Sequence, residues 1–326
     1  MQAAFPIPTT ISAEAQAVLA ASAQRPASPN PDADDEAGWQ ALGQVAASTD
    51  PAMVEVLAMA TTGAVVSDIA ATVEAREIDG ARFFVAEPDG LAPDDERVLF
   101  YIHGGGMTFG GGETARRSTQ LLAGDFGVRV WGMDYRQLPD HPFPAGLDDC
   151  MTVYRALLRE RRPQSIAIAG QSGGANLSAA LLLRSRDEGL ALPVAAGLIS
   201  PPTDLTGAGD SYAVNGFTLA PGGLSNMAER YRGAAPLEHP HISPLFGEFD
   251  QEFPPVILTA GTRDFLLSDT VRLHRKLLAA GVRAELHVWE GAPHGLFMGQ
   301  APEDREQIAQ VRRFFEDAWD AAAPNS

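Results

Sequence analysis

The stretch Ser165-Ile166-Ala167-Ile168-Ala169-Gly170-Gln171-Ser172-Gly173-Gly174 decides how the rest of the chain is read. An apolar run of strand character, Ser165–Ala169, leads into G-x-S-x-G, and a helical pattern over Gly174–Glu188 follows. In that setting G-x-S-x-G is a nucleophile elbow, a strained strand-to-helix turn that exposes a serine hydroxyl. Glycines flank the serine because the turn crowds any Cβ. The start of the helix favours negative charge developing beside the hydroxyl. The pentapeptide alone is a weak signal, since glycine and serine are common in loops. The strand and helix on either side give it weight.

Outward from the elbow, short apolar runs alternate with helical stretches. The runs are Val98–Ile102, Val128–Met133, Val194–Ser200, Val256–Ala260 and Ala284–Trp289; the helical patterns lie near Thr114–Phe126, Leu147–Glu160, Ser268–Ala280 and Pro302–Ala321. This rhythm predicts an α/β fold with a mostly parallel central sheet and helices on both faces. Ala71–Ile78 and Ala81–Ala86 flank the turn dipeptide Asp79-Gly80, which predicts an antiparallel hairpin at one edge. Residues 1–65 read as an N-terminal helical cap segment, with helical periodicity around Ile11–Ala23 and Pro51–Ala60. Between these, Arg25–Glu36 reads as a loop whose acidic run Asp32, Asp34, Asp35, Glu36 is a solvated helix start rather than a metal cluster. Residues 66–326 form the main domain. A Gly- and Pro-rich insertion over about 201–250 is expected to lie above the carboxyl ends of the strands and complete the cap.

The 326-residue chain is 45% hydrophobic and 20% charged, enough to bury a sizeable core. Its formal charge of −18 argues against nucleic acid or an anionic membrane surface as partner, because both need a basic face. Cys150 is the only cysteine, which excludes an internal disulfide and a cysteine-built zinc site. Residues 1–24 lack a basic residue and a long apolar core, so they do not read as a signal peptide. The expectation is a soluble, cytoplasmic protein.

A serine nucleophile needs a base, and the base needs an orienting acid. Among the histidines, His294 in Pro293-His294-Gly295 lies just past the last predicted strand, where a loop would present it. His103 sits inside His103-Gly104-Gly105-Gly106 and is better suited to positioning that loop. His141 ties down a Pro-flanked loop, and His239, His241, His274 and His287 read as structural or exposed. For the acid, Asp264 follows the strand Val256–Ala260. Its rival Asp269 is drawn into the start of the next helix beside Ser268. The glycines after His103 free backbone N–H groups to meet an oxyanion, the second half of an oxyanion hole. Ser172, Asp264 and His294 come in the order nucleophile, acid, base, each after its own strand. All three are therefore expected at one edge of the sheet.

On these residues the chain resembles the bacterial hormone-sensitive-lipase-like (family IV) carboxylesterases of the α/β-hydrolase fold. The matching pieces, from about Val98 to Phe297, are His103-Gly104-Gly105-Gly106, Asp134-Tyr135-Arg136, Pro139-Asp140-His141-Pro142-Phe143-Pro144-Ala145, Ser200-Pro201-Pro202-Thr203-Asp204-Leu205, Asp264 with Leu266 and Asp269, and His294-Gly295. The resemblance implies an oxyanion hole made by the N–H groups of Gly105, Gly106 and Gly173. It also implies a small-molecule ester substrate with a short to medium acyl chain, or a lactone. Relatives of this kind often pair as homodimers. The family usually has Asp before the nucleophile and Ala after it, where this chain has Gln171 and Gly173. Ala175 replaces a usual glycine, while Asn176-Leu177 fit.

The expected chemistry is ester hydrolysis through an acyl-enzyme, with no metal or organic cofactor. Activity should fall on the acid side as the imidazole protonates. Met107, Phe109, Phe217, Leu219 and Phe297 are candidates to line the substrate pocket. Lactone, carbamate or amide cleavage by the same three residues stays open, since those differences lie in pocket shape. A dinucleotide-binding enzyme is disfavoured. Gly110-Gly111-Gly112-Glu113-Thr114-Ala115 fits G-x-G-x-x-A, but Gly110 stands eight residues past its strand. A non-catalytic binding protein on this fold is disfavoured because all three candidate catalytic residues are present.

Overall fold

The strands of the computed structural model are Ala71–Ile78 (β1), Ala81–Pro88 (β2), Val98–Ile102 (β3), Arg129–Asp134 (β4), Ile166–Gln171 (β5), Ala195–Ile199 (β6), Val256–Gly261 (β7) and Ala284–Trp289 (β8). They form one sheet in the order β1-β2-β4-β3-β5-β6-β7-β8. The pairs β1–β2 and β2–β4 are antiparallel, and every other neighbouring pair is parallel. The structure describes residues 6–22, 30–47, 49–64, 67–216 and 223–323. The edge hairpin forms where the turn dipeptide predicts it. Asp79 and Gly80 take φ of 48° and 82°, the left-handed pair that a tight hairpin turn requires.

The helices are Ala13–Ser22 (α1), Glu36–Ala46 (α2), Pro51–Thr62 (α3), Glu113–Phe126 (α4), Ala145–Glu160 (α5), Gly173–Asp187 (α6), Asp210–Val214 (α7), Gly223–Arg232 (α8), Leu267–Ala279 (α9) and Pro302–Ala322 (α10). Side chains alternate across each central strand, so the sheet separates two cores. Val98, Phe100, Ile102, Ile166 and Ile168 face α5, α6 and α9. Leu99, Tyr101, Ala167 and Ala169 face α4 and α10, with Leu122, Phe315 and Trp319 among their partners. Burial on both faces explains why these strands read as continuous apolar runs. Each fully buried large side chain there contributes about 1.5–3 kcal/mol.

The connection after β3 leads to β4 on one side of it, and the next crossover returns to β5 on the other side. A reversal of this kind opens a crevice beyond the carboxyl ends of the two strands. His103-Gly104-Gly105-Gly106 leaves β3 there, and Ser172 leaves β5.

The loop reading of Arg25–Glu36 ends where α2 begins, and residues 23–29 lie outside the described ones. Asp35 caps α2, its carboxylate accepting the Gly38 N–H at 3.0 Å. Among the described residues of 201–250 the chain makes α7 and α8 rather than strands. Asn176 on α6 ties this segment down by donating to the carbonyls of Pro202 (2.7 Å) and Ile242 (2.8 Å). Trp39 of α2 is wholly buried among Met107, Leu205, Met227, Tyr231 and Ile242, so α2 and α8 share one apolar cluster beside the crevice. Its indole N–H donates to the Asp32 carbonyl at 2.9 Å. Trp39→Ala is expected to cost roughly 3–5 kcal/mol in urea denaturation. A loss below about 1 kcal/mol would mean that α2 does not depend on this contact.

Candidate active site

Ser172 has φ 51° and ψ −121°, a conformation that L-residues avoid. Its N–H donates to the Ile199 carbonyl at 2.8 Å, which anchors the turn to β6. The flanking glycines are sterically required. A Cβ on Gly170 would lie 2.4 Å from the Gly174 carbonyl oxygen, and one on Gly174 would lie 1.9 Å from the Ile102 carbonyl oxygen. The helix therefore crosses β3 at backbone contact distance, and the serine is forced outward.

His294 joins the serine to the acid. Its Nε2 lies 2.9 Å from Ser172 Oγ, and its Nδ1 lies 3.1 Å from Asp264 Oδ1. The Phe265 ring packs 4.7 Å from the imidazole, centroid to centroid. Asp264 is fully buried. Burial alone would raise its carboxyl, but the His294 charge, the hydrogen bond from His294 and the Leu266 N–H (2.9 Å) hold it below the ordinary carboxylate range. It is thus an anion facing Nδ1, which leaves Nε2 to accept a proton. The rival Asp269 faces away. Its Oδ2 accepts the Asp204 N–H at 2.9 Å and the Tyr212 hydroxyl at 3.1 Å, in the first turn of α9.

Gly105 and Gly106 take φ of 99° and 59°, and their N–H groups meet no acceptor among the described residues. A Cβ on Gly173 would lie 3.4 Å from the Gly106 nitrogen, so the loop and the start of α6 face each other across the serine. The same Cβ would meet Met107 Sδ at 3.0 Å, which identifies what occupies the space of the family's usual alanine. The Gly104 N–H donates to the Thr61 carbonyl at 2.7 Å. His103 is buried and stacks on Tyr135 at 4.5 Å, and its Nδ1 bonds to the Gly104 carbonyl at 2.8 Å. Burial pushes its imidazole below the ordinary value, so it stays neutral and acts as a brace.

The pocket candidates divide. Met107 lies against Gly173 and the Trp39 cluster, and Phe109 is half-buried in the same loop. Phe297 does not line a pocket. It is fully enclosed by Ile11, Ala15, Val18 and Leu19 behind the His294 loop, because the turn after His294 points its side chain into that core. Phe217 and Leu219 lie outside the described residues. Gln171, which stands where the family usually has Asp, donates from Nε2 to the Ala60 carbonyl at 3.2 Å. Two further contributors are not visible in the sequence: the end of α3 supports Gly104, and Asp304 bonds the loop after His294. No local motif marks either, since each acts on a segment distant in sequence.

A family model described as alpha/beta hydrolase fold matches residues 99–298. An acetyl-hydrolase of Streptomyces hygroscopicus is 33% identical over 233 residues, covering 70% of this chain and 78% of that protein. An esterase of Acinetobacter venetianus is 32% identical over 225 residues, covering 67% and 74%. The crystal structure of an esterase named E25 superposes with a TM-score of 0.79 at 32% identity over 96% of both chains. An esterase from the bacterial hormone-sensitive lipase family gives 0.78 at 28% identity, covering 94% of this chain and 99% of that one. Fold and site together define an α/β-hydrolase. Within that class the chain belongs to the bacterial hormone-sensitive-lipase family of esterases, and it is a carboxylic ester hydrolase.

Asp269 generates a pH prediction. Burial, with the Asp204 charge beside it, pushes its carboxyl up to about 7. A carboxyl raised on folding stabilises fully at low pH and loses that contribution as pH rises through 7. Urea denaturation of Asp269→Asn should therefore gain roughly 2–4 kcal/mol relative to the wild type between pH 4 and pH 8. A difference independent of pH would contradict the shift.

Proposed function

We propose that Ser172, His294 and Asp264 are the catalytic triad of this ester hydrolase. The observation that supports it is the unbroken chain from Ser172 Oγ through the imidazole to the Asp264 carboxylate, at 2.9 and 3.1 Å. His294 Nε2 takes the hydroxyl proton as Ser172 Oγ attacks the ester carbonyl carbon. Asp264 holds the Nδ1–H tautomer and balances the imidazolium charge. Gly105, Gly106 and Gly173 donate N–H groups to the oxyanion. The intermediate then collapses, the C–O bond to the alcohol breaks, and the imidazolium gives its proton to the leaving oxygen. Water, deprotonated by the same Nε2, attacks the acyl-enzyme and releases the acid and free Ser172. The cycle consumes only ester and water.

The substrate reading is a short- to medium-chain acyl ester. Relatives named acetyl-hydrolase or esterase support it, as does the Met107 side chain packed against Gly173, next to the serine in the chain. Lactone, carbamate or amide bonds are the alternative, since the same triad cleaves them where the pocket admits them. In this reading residues 1–65 and about 201–250 cap the site, the enzyme works in the cytoplasm, and β8, the outer strand, is available to pair with a second copy as a homodimer. No helix among the described residues is long and apolar enough to cross a membrane.

Ser172→Ala is expected to lower kcat on p-nitrophenyl acetate by about 10³–10⁶ while the protein stays folded. Turnover equal to the wild type would refute the triad.

A further inference from the structure

The loop that carries His294 has a backbone that its sequence does not favour. Gly291, Gly295, Leu296, Met298 and Gly299 all have φ between 56° and 74°. For Leu296 and Met298 this left-handed conformation is strained. Something outside the loop must hold it. Asp304, on the first turn of α10, is buried against the loop. Its Oδ1 accepts the Phe297 N–H at 2.9 Å, its Oδ2 accepts the Ala301 N–H at 2.9 Å, and the Gly299 N–H also bonds to the carboxyl group. On the outer side, the N–H and hydroxyl of Ser12 each donate to Glu303 at 2.8 Å, while Ile11, Val18 and Leu19 pack over Leu296 and Phe297.

We propose that Asp304 is a positioning residue for the general base. Its carboxylate gathers the amides of Phe297, Gly299 and Ala301 and so keeps residues 295–299 in the left-handed turns that set His294 between Ser172 and Asp264. This rests on the triad reading above. Asp304 contacts none of the reacting groups and acts through the backbone alone. Displacing the imidazole by about 1 Å would cost on the order of 10²-fold in rate. An isosteric amide cannot replace the carboxylate, because its NH₂ would face a backbone N–H and leave that buried donor without an acceptor.

Asp304→Asn tests this, with Val153→Ala in the core under α5 as a variant that lowers stability without touching the loop. For Asp304→Asn, kcat on p-nitrophenyl acetate should fall about 10–100-fold with KM within about twofold of the wild type. The low-field proton resonance of the His294 Nδ1–H shared with Asp264 should be lost or broadened. Val153→Ala, at a similar drop in Tm, should keep both. Adding Met298→Gly to Asp304→Asn should recover part of kcat, since glycine adopts a positive φ without strain. If Asp304→Asn does not fold, Asp304→Glu keeps the charge, moves it by one methylene and carries the same readouts. Wild-type kcat and resonance in the Asp304 variant would overturn the proposal, as would a loss matched by Val153→Ala. Ser172→Ala separates the two readings. If it stays active, the triad has failed; if it is inactive while Asp304→Asn behaves as wild type, only the role of Asp304 has failed.

Discussion

A serine held at φ 51° is the constraint around which the molecule is arranged. Such a backbone costs about 1–3 kcal/mol and persists only where its surroundings leave no alternative. Here β5 is paired on both sides and α6 presses against β3 at a glycine. Relaxing the turn would pull α6 out of a core that includes Leu177, Leu181 and Leu182. The strain lifts the hydroxyl above the sheet and turns the Gly173 end of α6 toward the oxyanion loop. The outward serine hydroxyl and the facing end of α6 thus follow from one dihedral angle.

The other parts of the site are carried on equally rigid supports. Asp264 follows β7, His294 follows β8, and the glycine loop after His103 follows β3, so their spacing is set by the sheet. The end of α3 contributes from outside the sheet. A helix leaves its last carbonyls without internal partners, and three of these carbonyls, on Ala60, Thr61 and Thr62, accept from Gln171, Gly104 and the Tyr101 hydroxyl. The N-terminal segment is therefore bonded directly to the back of the elbow and of the oxyanion loop. This also gives a physical reason for Gln171 in place of the family's aspartate. Facing the Ala60 carbonyl oxygen, an amide donates a hydrogen bond where a carboxylate would be repelled.

The reading of the sequence succeeded where a local rule governs the outcome. The inner strands lie within about two residues of their apolar runs, because burial on both faces erases alternation and leaves a contiguous signal. That Ser172, Asp264 and His294 come within hydrogen-bond reach of one another was legible because each stands just beyond a strand, and the parallel sheet brings those ends together. Asp264 was separable from Asp269 because the latter begins a helix. Phe297 was misplaced because an aromatic beside the base looks like a pocket wall, whereas the left-handed turn at Leu296 points it into the core under α1. Asp304 stayed hidden for a similar reason. An acidic residue in the first turn of a helix is ordinary, and only the folded chain aims it at the loop of the base.

The central claim is that Ser172 is the residue that becomes acylated. Reaction of the folded protein with a fluorophosphonate, followed by digestion and mass spectrometry, reads this directly. The account predicts one adduct per chain, carried on Ser172. An adduct on another residue, or an unlabelled protein that still hydrolyses esters, would contradict it.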